Sequence, residues 1–290
     1  MERFEEKRWL SRLVWPKEDS HKGQNGRVLV IGGSSLFHAA PFWAANAASR
    51  IVDMVHFSSP YLLNNKLVEE KAKAGFWNGI VVPWDEVEKY IEEDDVVLIG
   101  PGMMRTDDKQ IEMFEKLEDF EADDTKGIVD FLLRKYPNKK WVVDGGALQE
   151  IEGNLLNKKM IVTPNQKELE MLADKLKLRD LSRLETVQEI VRKTKATVVA
   201  KGRVDLVGGE EVKEKRLRVV KVEGGSPGMT KGGTGDVLAG VIAGLYAKNE
   251  AIVAGVVGSY LNKKWGEELS REQVWFNASD LVERVVLFTD

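Results

Sequence analysis

The chain has 290 residues, 43% of them hydrophobic and 31% charged, enough to bury a sizeable core in one large α/β domain, which we expect to span 1–290. A net charge of −4, with both signs mixed along the chain, argues against nucleic acid or an anionic membrane as partner and favours a small-molecule substrate. There is no cysteine, which excludes disulfides, thiolate catalysis and zinc–thiolate sites.

The N-terminus carries acidic residues and no uninterrupted apolar core of the kind a secretory signal needs. No stretch reaches the roughly 20 apolar residues of a membrane span, so a cytoplasmic protein is expected. His21, His38 and His56 lack metal-ligand spacing, and any metal should be a hard, oxygen-bound ion such as Mg²⁺.

Short apolar runs then recur, rich in β-branched residues. They are Arg27–Ile31, Met54–Phe57, Gly79–Val82, Val96–Ile99, Trp141–Val143, Met160–Val162 and Thr197–Ala200. Being continuous and not alternating, they predict strands covered on both faces. Helix-length segments lie between several of them, at Ala39–Arg50, Ile128–Lys135, Gln166–Lys175 and Thr186–Thr194. Strand and helix taking turns predicts a mostly parallel sheet with helices on both sides. The acidic stretch Arg105–Lys126 has no strand character and is expected to be a surface helix and loop.

Toward the C-terminus the pattern changes. Asp205–Val207 and Leu217–Val222 predict a hairpin, with Gly208, Gly209 and Glu210 in its turn region, and hence an antiparallel edge. Two apolar helices follow, Val237–Ala247 and Ala251–Asn262, rich in Ala, Gly and Val.

The strongest chemical signal precedes the first of these helices. Gly232-Gly233-Thr234-Gly235 is followed by Asp236 and an apolar helical run. Glycines let several backbone N–H groups converge on an anion, and the positive end of the helix adds to them, which suits a polyphosphate. The loop is not a Walker A sequence, because the Gly-Lys-Ser/Thr ending is absent. Asp236 falls where a carboxylate can cap the helix or take the proton of a substrate hydroxyl as its oxygen attacks a phosphoryl group.

A second candidate is Thr163-Pro164-Asn165-Gln166-Lys167-Glu168, where a strand ends and a helix opens; Asn165 and Glu168, three apart, can cap the helix or face a ligand. Similar punctuation follows other strands, at Gly32-Gly33-Ser34, Gly100-Pro101-Gly102, Asp144-Gly145-Gly146 and Lys201-Gly202. So many glycine-rich or polar strand ends predict one shared cleft along the edge of the sheet.

Gly-Gly-Thr-Gly-Asp at a helix start resembles the phosphate loop and base of the ribokinase-like superfamily. Together with His21-Lys22-Gly23, Gly32-Gly33-Ser34, Val162-Thr163-Pro164 and Pro227-Gly228-Met229, the chain is similar to the NAD(P)H-hydrate dehydratases within it. The resemblance implies a three-layer α/β/α fold and ADP- or ATP-driven return of hydrated NADH or NADPH (NADHX, NADPHX) to the reduced cofactor. By the family pattern Asp236 is the base, and the amides of Gly232, Gly233, Thr234 and Gly235 steady the transferred phosphoryl group. Lys201, Gly202, Thr230 and Lys231 would lie along the nucleotide; Gly33, Ser34, Ala39, Gly102, Asp144 and Asn165 would line the substrate side. Glu168 would act indirectly on Mg²⁺.

The resemblance also implies a homo-oligomer, commonly a tetramer. The length leaves no room for the epimerase domain fused in many relatives, so the epimerase is expected as a separate protein. Where the family reads His-x-Gly-Glu after Thr-Pro, this chain has the Asn-x-x-Glu of superfamily kinases. Three alternatives stand beside the dehydratase: a kinase for a hydroxymethylpyrimidine or hydroxyethylthiazole type of alcohol, a nucleotide sensor without catalysis, and a Rossmann oxidoreductase using Gly32-Gly33-Ser34, against which the absence of a Gly-x-Gly-x-x-Gly motif argues.

Overall fold

The computed structural model describes residues 1–75, 77–105, 117, 121–211, 214 and 216–285. Most of the predicted acidic surface segment Arg105–Lys126 lies outside the described residues; its last two residues, Thr125 and Lys126, open a helix.

In chain order the strands are β1 (Glu2–Arg3), β2 (Arg27–Ile31), β3 (Met54–Ser58), β4 (Ile80–Val81), β5 (Val96–Ile99), β6 (Lys140–Val143), β7 (Met160–Val162), β8 (Thr197–Ala200), β9 (Asp205–Glu211) and β10 (Arg216–Val222). The helices are α1 (Glu6–Leu10), α2 (Ala39–Ser49), α3 (Leu62–Gly75), α4 (Val87–Glu93), α5 (Thr125–Lys135), α6 (Gly145–Glu150), α7 (Gln166–Lys175), α8 (Arg183–Thr194), α9 (Thr234–Lys248), α10 (Ala251–Glu272) and α11 (Ala278–Glu283).

The strands form one sheet in the order β1-β10-β9-β8-β7-β6-β5-β2-β3-β4. From β8 to β4 all neighbours are parallel, while β9 runs antiparallel to both β8 and β10. Strand side chains alternate between two cores. Val28, Val30, Val96, Leu98, Val142 and Ile161 face one, with α2, α9 and α10. Leu29, Ile31, Val97, Ile99, Trp141 and Val143 face the other, with α5, α7 and α8. Burial on both faces is why these runs are continuously apolar, and it gives the three-layer α/β/α architecture expected from the sequence.

The register places the site. Ile31 pairs with Ile99, Ile99 with Val143, Val143 with Val162, and Val162 with Val198. The parallel strands thus end level, and Gly32, Gly100, Asp144 and Thr163 form a row just beyond them. Chain order reverses between β5 and β2, the switch point where open α/β sheets bind ligands.

The predicted antiparallel hairpin is present as β9 and β10, and only the place of its turn is corrected. Gly208, Gly209 and Glu210 are not in the turn; they lie inside β9, paired with Val219, Arg218 and Leu217. A Cβ at Gly208 would stand 2.5 Å from Val187 of α8, and one at Gly209 2.9 Å from Thr197 and 3.2 Å from Ile252 of α10. The glycines admit helices pressed onto both faces of the strand. The N-terminal strand β1 was not visible in the sequence. It adds in parallel to β10 and is tied there by the buried Arg218, which donates to Glu2 and Glu211.

Candidate active site

The predicted phosphate loop is a helix start. Gly233 is the N-cap of α9 with φ +96°, and Thr234, Gly235 and Asp236 form the first turn. A Cβ on Gly233 would stand 2.3 Å from the Trp43 ring, so only glycine brings the chain this close to α2. The Thr234 hydroxyl is buried and faces the Met229 and Lys231 carbonyl oxygens at 2.7 and 3.0 Å, stapling the preceding turn. No side chain caps α9, unlike α7 and α8, which carry full capping boxes. Among the described residues no hydrogen bond engages the Thr234 and Gly235 amides, which are open to an anion, while the Asp236 amide faces its own carboxyl.

Asp236, half-buried in that first turn, has its carboxyl pushed up to about 7, chiefly by burial and then by repulsion from Asp144, with Lys201 opposing. A carboxylate poised near neutrality suits a general base. Lys201 is brought over from β8, whose end is joined to β7 by the Lys201 N–H donating to the Pro164 carbonyl at 2.7 Å. Its Nζ donates to Asp144 Oδ1 at 2.7 Å. Burial alone would depress this ammonium, but Asp144, Glu168 and Asp236 together raise it. The same Asp144 oxygen accepts from the Thr163 hydroxyl at 2.6 Å. One cation thus sits among three carboxylates at the positive end of a helix, where a transferred phosphoryl group needs its charge balanced.

From here a cleft of about 1130 Å³ runs from Asn165, Lys201 and Gly235 past Gly202 and Thr230 to Gly224 and Lys263. Its far wall is fixed by groups the sequence did not reveal. Lys263 Nζ donates to the Gly202 and Arg203 carbonyls at 3.0 and 3.2 Å, and Asp205 accepts from Gly202 N and the Ser259 hydroxyl at 2.8 and 2.6 Å. Arg183 donates to the Ala200, Lys201 and Val204 carbonyls. Lys263 lies one residue past the predicted end of its helix, which continues to Glu272. The sequence signal for it is a lysine directly after an apolar helical run.

Of the residues predicted for the substrate side, Gly33, Ser34, Ala39 and Gly102 follow β2 and β5 at the switch point, whereas Asp144 and Asn165 follow β6 and β7. Gly33 N donates to the Pro101 carbonyl at 2.8 Å, and a Cβ on Gly102 would meet Pro41 at 3.0 Å. Ala39 is exposed and opens α2. The Ser34 hydroxyl is fully buried and accepts from Phe37 N at 3.0 Å, so Ser34 shapes its turn from within. Lys231 points the other way, donating to Asn277 Oδ1 at 2.9 Å, and does not line the cleft.

Asn165 and Glu168 form the capping box of α7: Asn165 Oδ1 accepts from Glu168 N at 3.0 Å, and Glu168 Oε2 from Asn165 N at 2.8 Å. Glu168 Oε1 accepts from Gln149 at 3.2 Å. Asn165 also lines the cleft. Asn165→Ala is expected to cost about 1 kcal/mol of stability, the usual worth of such a cap, read as a lower urea midpoint with unchanged m-value.

A family model described as NAD(P)H-hydrate dehydratase matches residues 28–286. The bifunctional NAD(P)H-hydrate repair enzyme Nnr of Methanocaldococcus jannaschii is 32% identical over 282 residues, covering 95% of this chain and 50% of that protein. The chain spans about half the length of the first curated relatives it matches. The ADP-dependent (S)-NAD(P)H-hydrate dehydratase of Cenarchaeum symbiosum is 31% identical, with 87% of this chain and 83% of that one covered. Among solved structures, the ADP/ATP-dependent NAD(P)H-hydrate dehydratase of Bacillus subtilis, co-crystallized with ATP/Mg²⁺, shares the fold with a TM-score of 0.69 at 20% identity, covering 98% of this chain and 96% of that one. The ribokinase-like fold expected from the sequence is the one observed. With the model matched over most of its length, the chain belongs to the NAD(P)H-hydrate dehydratase family.

Proposed function

We propose that the protein returns hydrated NADH or NADPH to the reduced cofactor, using ADP or ATP as phosphoryl donor. The observation that carries this reading is Asp236: a carboxyl raised to about 7 in the first turn of α9, near enough to Lys201 for the ammonium to oppose that rise, next to Gly235, which with Lys201 lines a nucleotide-sized cleft.

Hydroxide is a poor leaving group. Asp236 takes the proton of the ring hydroxyl as its oxygen attacks the terminal phosphorus, and Lys201 with the α9 amides balances the charge that develops. Phosphate then leaves readily, because the adjacent ring nitrogen pushes its electrons into the ring. Lys201, Gly202 and Thr230 lie along the nucleotide in this reading. Gly33, Ala39, Gly102 and Asn165 face the hydrated ring, and Ser34 holds the turn behind them.

Mg²⁺ fits as an ion borne by the nucleotide phosphates. Among the described residues no three His, Cys, Asp or Glu side chains converge to hold one, and magnesium ordinarily keeps waters and binds through phosphates. Both Glu168 oxygens already accept hydrogen bonds, which supports an indirect part for Glu168, and the ion would neutralise phosphate charge. Exposed Leu62, Leu63 and Leu67 on α3 support self-association, with a tetramer as the expected form. No helix among the described residues is long and apolar enough to cross a membrane, in keeping with a cytoplasmic enzyme, and the bifunctional relatives point to an epimerase activity as its companion.

Phosphorus NMR of a reaction with hydrated NADH tests this reading against the kinase alternative. The expected product is inorganic phosphate with AMP or ADP. A persistent phosphomonoester, formed on a vitamin-precursor alcohol and not on the hydrate, would move the assignment to a kinase.

A further inference from the structure

We propose that Asp144 is the base that removes the ring C5 proton in the second half of the reaction. This rests on the dehydration assigned above and supplies a step which that assignment leaves open. Removing water from the hydrate takes the oxygen from C6 and a hydrogen from C5. Asp236 accepts the hydroxyl proton during phosphoryl transfer. Phosphate then departs with the electrons of the C6–O bond, and the N1 lone pair forms the N1=C6 iminium. The dihydronicotinamide appears only when the C5–H bond breaks, its electrons closing C5=C6 as the N1 pair returns. That proton needs an acceptor while Asp236 still holds the first one.

Few carboxylates near the cleft are open to it. Both Glu168 oxygens are engaged with Asn165 and Gln149. Asp205 is held by Gly202 N and the Ser259 hydroxyl at the far end. Glu223 is exposed and paired with Arg3 and Lys221. Asp144 is only 2% exposed, and its Oδ1 is fixed by Lys201 at 2.7 Å and Thr163 at 2.6 Å. Among the described residues its Oδ2 accepts no hydrogen bond, and no side-chain bond caps α6 from it.

Its place is also suitable. The Asp144 backbone abuts Gly100, where a Cβ would stand 1.8 Å from the Asp144 carbonyl oxygen, while Lys201 links it to Asp236 and the phosphoryl end. Asp144 therefore joins the Gly100–Gly102 strand end, where the hydrated ring is expected, to the transfer site. The proton it takes passes to the departing phosphate or to water on product release.

The test follows phosphate and dihydronicotinamide absorbance in parallel for wild type, Asp144→Asn and Asp144→Glu, with hydrated NADH and ADP or ATP. Wild type should give one phosphate per dihydronicotinamide. In Asp144→Asn, dihydronicotinamide formation should fall by about 100-fold or more, while phosphate release falls by less than about tenfold. The stranded iminium takes water back at C6, so the recovered hydrate should be scrambled between its two C6 epimers. Asp144→Glu should restore part of the lost product with a phosphate ratio still above one.

A ratio of one in both variants, whether the rates fall together or stay at wild type, overturns the proposal and makes Asp144 a residue of phosphoryl transfer or binding. If Asp144→Asn does not fold, the ratio measured on Asp144→Glu decides in the same way. Wild-type protein that forms no dihydronicotinamide is a separate outcome and sinks the dehydratase reading itself.

Discussion

Asp236→Asn is expected to lower kcat/KM by about 10²–10⁴-fold, the usual worth of a positioned base, while nucleotide binding survives. The amide keeps the shape of the first turn of α9 but cannot accept the substrate proton. The raised carboxyl also sets the wild-type pH profile. With its pKa pushed to about 7 by burial and by Asp144, kcat/KM should climb with pH through that region and level off above it. Lys201→Met, which removes the opposing cation, should move this limb to higher pH.

The same group makes a stability prediction of opposite sign. A carboxyl raised in the folded state above its ordinary value of 3.8 leaves the unfolded chain to ionise first, so folded stability falls as pH rises through the interval up to about 7. Asp236→Asn removes that penalty. The variant should match wild type below pH 4 and melt several degrees higher at pH 8, inactive but more stable. Equal melting temperatures at both pH values would mean that Asp236 is not held under strain by its surroundings.

Gly100→Ala is expected to lower stability by more than about 4 kcal/mol, or to prevent accumulation of folded protein. Gly100 has φ +118°, a conformation costly for any residue with a Cβ. An added Cβ would stand 1.8 Å from the Asp144 carbonyl oxygen and 2.8 Å from the Ala147 side chain. The backbone atom cannot retreat, because the ends of β5 and β6 are locked by the Ile99–Val143 register and by Asp144 N donating to the Ile99 carbonyl. Gly232→Ala is the matched control: its methyl meets nothing within 4 Å, and its stability should stay within about 0.5 kcal/mol of wild type. Urea midpoints read both. Similar midpoints for the two variants would show that the strand ends are loosely packed.

Periodicity alone fixed most of the parallel sheet, because strands buried on both faces read as unbroken apolar runs. Arg27–Ile31, Val96–Ile99, Met160–Val162 and Thr197–Ala200 lie where expected. Long-range partners set what was misread. Gly208 and Gly209 look like a turn in sequence, and only the helices packed on either face of β9 explain them as strand. The two residues of β1 carry no pattern of their own and become a strand because β10 offers them an edge and Arg218 pairs with Glu2. Gly145-Gly146 reads as a turn but begins α6, where Gly146 lets the Met103 carbonyl approach to within 2.1 Å of a would-be Cβ.

In the site, glycines and strand ends were legible because they mark backbone conformations, and Asp236 because it follows the phosphate loop directly. The Lys201–Asp144–Thr163 contacts join three different strands, so no spacing along the chain announces them. Asn165 and Glu168 show how one motif serves two readings. Three residues apart, they form a capping box, and the same box holds Asn165 at the cleft and Glu168 within range of Lys201.

The most direct measurement is the return of dihydronicotinamide absorbance when the protein is mixed with Mg²⁺, chemically hydrated NADH and either ADP or ATP, with Asp236→Asn alongside. Nucleotide-dependent recovery in wild type that disappears in the variant is the expected result, and it identifies the donor at once. No recovery with either nucleotide, from folded protein that still binds ATP, would contradict the assignment.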